Sequence, residues 1–170
     1  RTIQIDTFAR FTRVSRETIT SLKKYEEKLI TANKTLNLVG KSTINDIWER
    51  HFLDSVQVID FIDENDKTLV DLGSGAGFPG LVLAMVLNDR KIPLKIKLIE
   101  KSPKKVKFLK SLIDEFKLSV DVMNTNIFNE QIKFFDDVFI ARAFKPLEII
   151  LQLMHNKAQN WKKIFIFLGK

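Results

Sequence analysis

The sequence predicts an α/β fold, a mostly parallel sheet with helices on both faces, preceded by a helical extension. Three observations carry that prediction. From residue 67 onward, short apolar runs rich in strand formers alternate with helix-length amphipathic segments. Strands separated in this way favour parallel pairing with right-handed crossovers. The run Leu69-Val70-Asp71-Leu72 leads directly into Gly73-Ser74-Gly75-Ala76-Gly77-Phe78-Pro79-Gly80, which reads as strand, tight loop and helix. Residues 1–66 show helical periodicity without strands. With 170 residues and no internal repeat, the chain reads as one domain, a helical extension over 1–66 and an α/β core over 67–170.

Residues 12–39 read as one or two helices, because Ile19, Leu22, Tyr25, Leu29 and Ala32 recur every three or four positions among Lys and Glu. A further helix is predicted over 44–62, with Ser42 or Thr43 as its N-cap and Asp46 three residues after Thr43 in the manner of a capping box. Its stripe is Ile44, Ile47, Trp48, Phe52, Val56 and Ile59, with His51 and Ser55 on or beside it. Arg50 and Asp54 lie four apart on a neighbouring face and are placed to pair. The strands are expected at 68–72, 94–99, 119–123, 137–141 and 161–168, and the helices between them at 79–88, 102–116 and 146–157.

Composition narrows the chemistry. The chain has no Cys, so disulfides, thiolate metal sites and a Cys nucleophile are excluded. The longest apolar run, 78–87, is far shorter than the roughly 18–20 residues of a membrane span, and residues 1–11 lack a signal-peptide core. A cytoplasmic, monomeric protein without a metal or membrane attachment is expected. The net charge of +7 is unevenly spread: residues 1–66 carry 10 basic against 11 acidic residues, and residues 67–170 carry 18 against 10. Within 90–110 there are nine basic residues and a single acid, Glu100. Such clustering attracts nucleic-acid phosphates, although lysines also serve simply to keep a surface solvated.

The glycine loop can be registered in two ways. Gly73, Gly75 and Gly77 form Gly-x-Gly-x-Gly preceded by Asp71, whereas Gly75, Gly77 and Gly80 form the dinucleotide pattern Gly-x-Gly-x-x-Gly. A pyrophosphate needs backbone donors in the first helical turn, and Pro79 has no N–H there. The first register suits S-adenosylmethionine, which has no phosphate. A tight turn with no ligand is the plainer alternative. In an open parallel sheet the ligand lies outside the carboxyl ends of the strands, and Glu100 ends the strand next in sequence. Its two oxygens can accept from both ribose hydroxyls, which would serve S-adenosylmethionine or NAD equally; pairing with Lys101 or Lys104 is the structural alternative.

The helix after Glu100 presents Lys104, Lys107 and Lys110 away from its inner stripe, Val106, Leu109, Ile113 and Phe116. Together with Arg90, Lys91, Lys95 and Lys97 these lysines suggest an RNA backbone track, in which Lys101, Lys104, Lys105 and Lys107 are the candidates nearest the cofactor edge. Arg142, after the fourth strand, is placed to hold cofactor, phosphate or base, or else to pair with Asp136 or Asp71. His51 against an apolar stripe reads more simply as a core histidine.

Five ordered blocks now stand together: Leu36-Asn37-Leu38, Arg50-His51-Phe52-Leu53-Asp54-Ser55, the loop from Val70 to Gly80, Glu100-Lys101-Ser102-Pro103-Lys104-Lys105-Val106-Lys107-Phe108-Leu109, and Ala141-Arg142-Ala143-Phe144. In this combination and spacing, over nearly its whole length, the chain resembles the bacterial RsmG family, also called GidB. The resemblance implies a Rossmann-like class I methyltransferase fold with strand order 3-2-1-4-5 and S-adenosylmethionine as methyl donor. It also implies N7 of a guanine in the decoding-region loop of 16S ribosomal RNA, free or in the small ribosomal subunit, as acceptor. By the family's pattern Gly73, Phe78 and Arg142 are carried over as cofactor contacts and Glu100 as the ribose acid, with Asp71, Gly75 and Gly77 completing the loop. Arg142 is then a positioning residue, and no general base is expected because guanine N7 carries no proton. His51 and Asp54 are supporting residues. Two features depart from the family. Asn126-Ile127-Phe128 stands where an Arg-Ala-Glu-like segment is usual, and keeps adenine binding if backbone groups hold the base there. The sequence ends at Gly169-Lys170, where the family continues into a further strand pair, so the fifth strand is expected to be an edge. The alternatives to the methyltransferase are a non-catalytic RNA-binding domain of the same fold and an NAD-dependent oxidoreductase.

Overall fold

The computed structural model describes residues 1–142 and 145–168. Five parallel strands, β1 (Thr68–Leu72), β2 (Lys95–Glu100), β3 (Val120–Asn124), β4 (Val138–Arg142) and β5 (Lys163–Phe167), form one sheet in the order β3-β2-β1-β4-β5. The order reverses at β1, so the loop after it opens at the switch point where an open α/β sheet leaves a crevice. Sheet order, strand positions and the edge position of β5 agree with the sequence reading.

The helices are α1 (Thr2–Thr12), α2 (Arg16–Leu36), α3 (Gly80–Asp89), α4 (Pro103–Glu115) and α5 (Leu147–Lys157). Alternation along β1 divides the core between two layers. Leu69 packs with α2, α3 and α4 through Leu22, Leu83 and Leu109, whereas Val70 and Leu72 pack with α5 through Ile150, Leu153 and Met154. The extension therefore joins the core on the α3–α4 face. Its first helix was not expected: α1 carries the fully buried Phe8, whose ring meets Trp48 edge-on at 5.5 Å. Arg13 in the left-handed conformation ends α1, and Ser15 caps α2 by accepting from the Thr18 N–H, so the one or two helices expected over 12–39 are a single helix that begins at Arg16.

The predicted helix over 44–62 is replaced by a 3-10 turn (Ile44–Asp46), a π-helical segment (Trp48–Leu53) and a second 3-10 turn (Val56–Phe61). Its apolar positions Ile47, Trp48, Phe52, Val56 and Ile59 are buried as expected, and His51 and Ser55 are buried beside them. A π-helical segment stacks residues five rather than four apart, which lets these neighbouring bulky groups turn inward together. The same change undoes two expectations. Thr43 makes no capping hydrogen bond, and among the described residues Arg50 forms no ion pair with Asp54.

Candidate active site

The site begins with the turn out of β1. Period-two alternation sends Asp71 to the α3 side of the sheet, where it is fully buried and its Oδ2 accepts from the Gly80 N–H at 2.9 Å. Burial pushes its carboxyl up to about 7, against the lowering effects of the Gly80 N–H and the Arg142 charge. Asp71 thus supports the glycine loop from beneath and anchors the start of α3. Gly77 adopts φ +99° directly against the Tyr25 hydroxyl, with which a Cβ would collide. That hydroxyl donates to the Ala76 carbonyl at 2.5 Å, so helix α2 braces the loop. Gly73 (φ +95°) has nothing within 4 Å of where its Cβ would stand and opens onto a cavity of about 570 Å³.

That cavity lies at the carboxyl ends of β1 and β2 and is lined in part by Gly73, Glu100, Asn126, Ile127 and Phe128. Five residues expected at the cofactor are therefore brought together. The Glu100 carboxylate, 8% exposed, accepts from the Gly75 N–H at 3.0 Å through Oε1 and from the Ser102 N–H at 2.7 Å through Oε2. A carboxylate offers about four lone-pair sites. Two are fixed by the backbone, which aims the group, and two remain for a ligand's hydroxyls. Among the described residues Glu100 pairs with neither Lys101 nor Lys104. The Asn126 side chain accepts from the Phe128 N–H at 2.9 Å and so sets a local turn in the cavity wall. Asn124, which sequence reasoning passed over, donates to the carbonyls of Glu100 and Lys101 and ties β3 to the end of β2.

The lysines divide. Lys101 and Lys105 line the same cavity as Gly73 and Glu100, whereas Lys104 and Lys107 stand exposed on α4. The former pair can meet an anionic group of a bound ligand, and the latter can meet a polyanion outside.

On the other side of β1, Arg142 ends β4. Its Nε donates to the Phe78 carbonyl at 3.3 Å, its guanidinium lies 5.8 Å from the centre of the Phe78 ring, and its buried Nη2 has no partner among the described residues. The Phe78 ring lies parallel to His51 at 4.7 Å and 6°. Arg142 is thus held by the loop itself, not by Asp136 or Asp71, and Asp136 stands instead 4.0 Å from Lys97. Arg142, His51 and Asp54 line a second, polar cavity of about 480 Å³. Burial, reinforced by the charges of Arg142 and Arg50, lowers His51 to about 4, so its ring is neutral at physiological pH. Ala143 and Phe144, quoted with the Arg142 block, lie outside the described residues, as do Gly169 and Lys170.

Among the described residues no cluster of His, Asp and Glu is arranged to hold a metal ion, and no helix is long and apolar enough to cross a membrane. Solved structures share the fold. They include the S-adenosylhomocysteine-bound methyltransferase PaMTH1 of Podospora anserina, with TM-score 0.58, 15% identity, and 81% of this chain and 56% of that one covered. Coclaurine N-methyltransferase gives TM-score 0.57 at 12% identity, over 96% of this chain and 56% of that one. In sequence, the chain is 37% identical over 159 residues to ribosomal RNA small subunit methyltransferase G of Pelagibacter ubique, covering 92% of this chain and 74% of that protein. It is 42% identical over 139 residues to the same-named protein of Paramagnetospirillum magneticum, covering 81% of this chain and 64% of that protein. The family model GidB, rRNA small subunit methyltransferase G, matches residues 18–170, and the chain belongs to that family.

Proposed function

We propose that the chain is an S-adenosylmethionine-dependent methyltransferase that modifies N7 of a guanine in 16S ribosomal RNA, acting in the cytoplasm as a monomer on free RNA or on the small ribosomal subunit. The observation that carries the reading is Glu100, a buried carboxylate aimed by two backbone N–H groups at the mouth of a cavity into which Gly73 presents no side chain. That arrangement fits a nucleoside with two free ribose hydroxyls and no phosphate. A dinucleotide is a poorer fit, because the helix end that would hold its pyrophosphate has the Gly80 N–H committed to Asp71 and a proline before it.

The bound donor supplies an electrophilic methyl group on a sulfonium. Guanine N7 has an in-plane lone pair and no proton, so the protein needs no general base. Its contribution is alignment and exclusion of water. Glu100 and the glycine loop hold one reactant, Arg142 lines the second cavity against Phe78 of the loop, and the exposed Lys104 and Lys107 draw in RNA. Transfer of labelled methyl from S-adenosylmethionine to 16S RNA or small subunits, with the product mapped to guanine N7, tests the reading. Absence of both incorporation and cofactor binding by calorimetry would overturn it; RNA binding without cofactor binding would favour a non-catalytic RNA-binding domain.

A further inference from the structure

Three parts of the chain meet at Phe78, the residue that follows Gly77. Its ring, 3% exposed, lies parallel to Tyr25 of α2 at 5.7 Å and to His51 of the π-helical segment at 4.7 Å, and Phe52 meets it at 5.8 Å and 62°. From β4, Arg142 reaches Phe78 twice, through Nε to its carbonyl at 3.3 Å and with the guanidinium 5.8 Å from its ring centre. Where that guanidinium stands therefore depends on how Phe78 is held. The Tyr25 hydroxyl bonds to the loop itself, at the Ala76 carbonyl, whereas His51 is tied to a point outside the loop. Thr43 Oγ1 donates its proton to the Gly40 carbonyl at 3.0 Å, so His51 Nε2, 3.0 Å from the same oxygen, is the donor there. Nδ1 is then an acceptor, buried and without a partner among the described residues.

That unpaired nitrogen argues against His51 as mere filling. A buried acceptor left without a donor costs stability, and a phenylalanine would stack on Phe78 without that cost. What the imidazole has and a phenyl lacks is the Nε2–H bond to Thr43, which stops the ring from turning about its own axis. Its ring is neutral at physiological pH, so it stands within reach of the Arg142 charge without repelling it. We propose that His51 is a positioning residue for methyl transfer: anchored on Thr43, it fixes the plane of the Phe78 ring, and Phe78 in turn fixes the Arg142 guanidinium against the glycine loop. His51 and Arg142 both line the second cavity, so the loop and that cavity's wall are held as one body. A transfer that uses no general base depends on alignment, and this clamp maintains it. The inference rests on the methyltransferase reading above and adds the residue that keeps the two sides in register.

The test has two arms, of which the first is independent of activity. In 15N-labelled protein the arginine Nε–H signals are recorded, and that of Arg142 is assigned by its loss in Arg142→Lys. In His51→Ala this signal is expected to shift and to exchange faster with water, while those of the other arginines stay in place. The second arm is the single-turnover rate of methyl transfer with S-adenosylmethionine and small ribosomal subunits both saturating. His51→Ala is expected to lose about 10- to 100-fold, the range that a displacement of about 1 Å costs, with affinity for S-adenosylmethionine by calorimetry and for RNA by fluorescence anisotropy unchanged. His51→Phe keeps the stack and loses the Thr43 bond, and Thr43→Val removes the same bond from the other side. Both should lose part of the rate and move the Arg142 signal, and they replace the alanine variant if it fails to fold. An Arg142 signal unmoved in His51→Ala, a full rate in His51→Phe, or losses confined to stability and binding overturn the assignment while leaving the methyltransferase intact. No transfer by the wild type overturns the proposed function itself, and the Arg142 signal alone then decides whether His51 holds the arginine.

Discussion

The Tyr25 and Phe78 rings lie parallel, 8° apart with centres at 5.7 Å, and the Tyr25 hydroxyl reaches past that contact to the Ala76 carbonyl. A residue of the helical extension therefore holds the glycine loop by both a stack and a hydrogen bond. The loop is not shaped by its glycines alone. Tyr25 is fully buried, so the carbonyl it satisfies has no water to turn to.

Replacing Tyr25 by Phe keeps the stack and strands the Ala76 carbonyl. Leaving a buried acceptor unpaired costs about 1–3 kcal/mol, so Tyr25→Phe should lower stability by that order in urea denaturation. Because the loss falls on the loop, affinity for S-adenosylmethionine should drop several-fold in calorimetry. A variant with lowered stability but unchanged cofactor affinity would show that the brace serves the fold only.

Asp71 gives the protein a pH dependence opposite to that of a salt-bridged carboxylate. Its folded-state value of about 7, raised chiefly by burial, lies above the roughly 3.9 of an unfolded chain. The native state therefore holds this proton more tightly than the unfolded state does. The stability it contributes is complete below about pH 4 and is lost progressively as pH rises towards 7. Between pH 5 and 7 the loss from this group alone is on the order of 2 kcal/mol. Asp71→Asn keeps an acceptor for the Gly80 N–H and cannot ionise, so its unfolding free energy should vary less across that interval. Parallel urea titrations at pH 5, 6 and 7 compare the two proteins, and identical slopes would mean that Asp71 stays ionised throughout.

The sequence made the sheet legible because strands β1 to β5 and helices α3 to α5 each agree in length, periodicity and punctuation, as at Asp71-Leu72-Gly73 and Ser102-Pro103. It hid α1, since Thr2–Thr12 mixes charge and apolar side chains without a clean stripe, although Phe8 alone anchors it. It also misread 44–62. The stripe there was correct, but the π-helical segment follows from burying Trp48, Phe52 and His51 together, a tertiary demand that no local pattern states. The cavity at the ends of β1 and β2 was largely legible, because Gly73 follows β1, Glu100 ends β2 and Asn126 follows β3, strands that motif spacing places side by side. The Asp54 and Arg142 cavity was not, since its two walls are 88 positions apart and meet only through the fold.

On the proposed function the basic helix α4 would have two tasks, and substitutions should separate them. Lys104 and Lys107 are exposed, whereas Lys105 lines the cavity beside Glu100. Lys104→Ala with Lys107→Ala should weaken RNA binding and reduce the slope of log affinity against log salt by about 1–2, as expected for two phosphate contacts. Cofactor affinity should stay constant. Lys105→Ala should do the reverse, lowering cofactor affinity with little change in the salt slope. An unchanged slope in the double variant would move the RNA track to another face, such as the one carrying Lys95 and Lys97.

Glu100 is the sharpest single test of the cofactor site, because two roles converge on one carboxylate. Glu100→Gln preserves size and removes charge, and its amide group has one oxygen to serve the two N–H groups of Gly75 and Ser102. Whichever N–H faces the amide nitrogen meets a donor. The loop and the start of α4 should therefore loosen while the acceptor sites for ribose hydroxyls are halved. Hydrogen bonds to a charged group contribute about 1.5–3 kcal/mol each, so affinity for S-adenosylmethionine should fall by about 10- to 100-fold in calorimetry. Glu100→Asp keeps the charge on a shorter stem. It should recover part of the loss if the ribose contact dominates, and none if positioning by the two backbone N–H groups does, because a stem one methylene shorter cannot span both. Full cofactor affinity in Glu100→Gln would leave the carboxylate a purely structural clamp and move the ribose contact to another residue of the cavity.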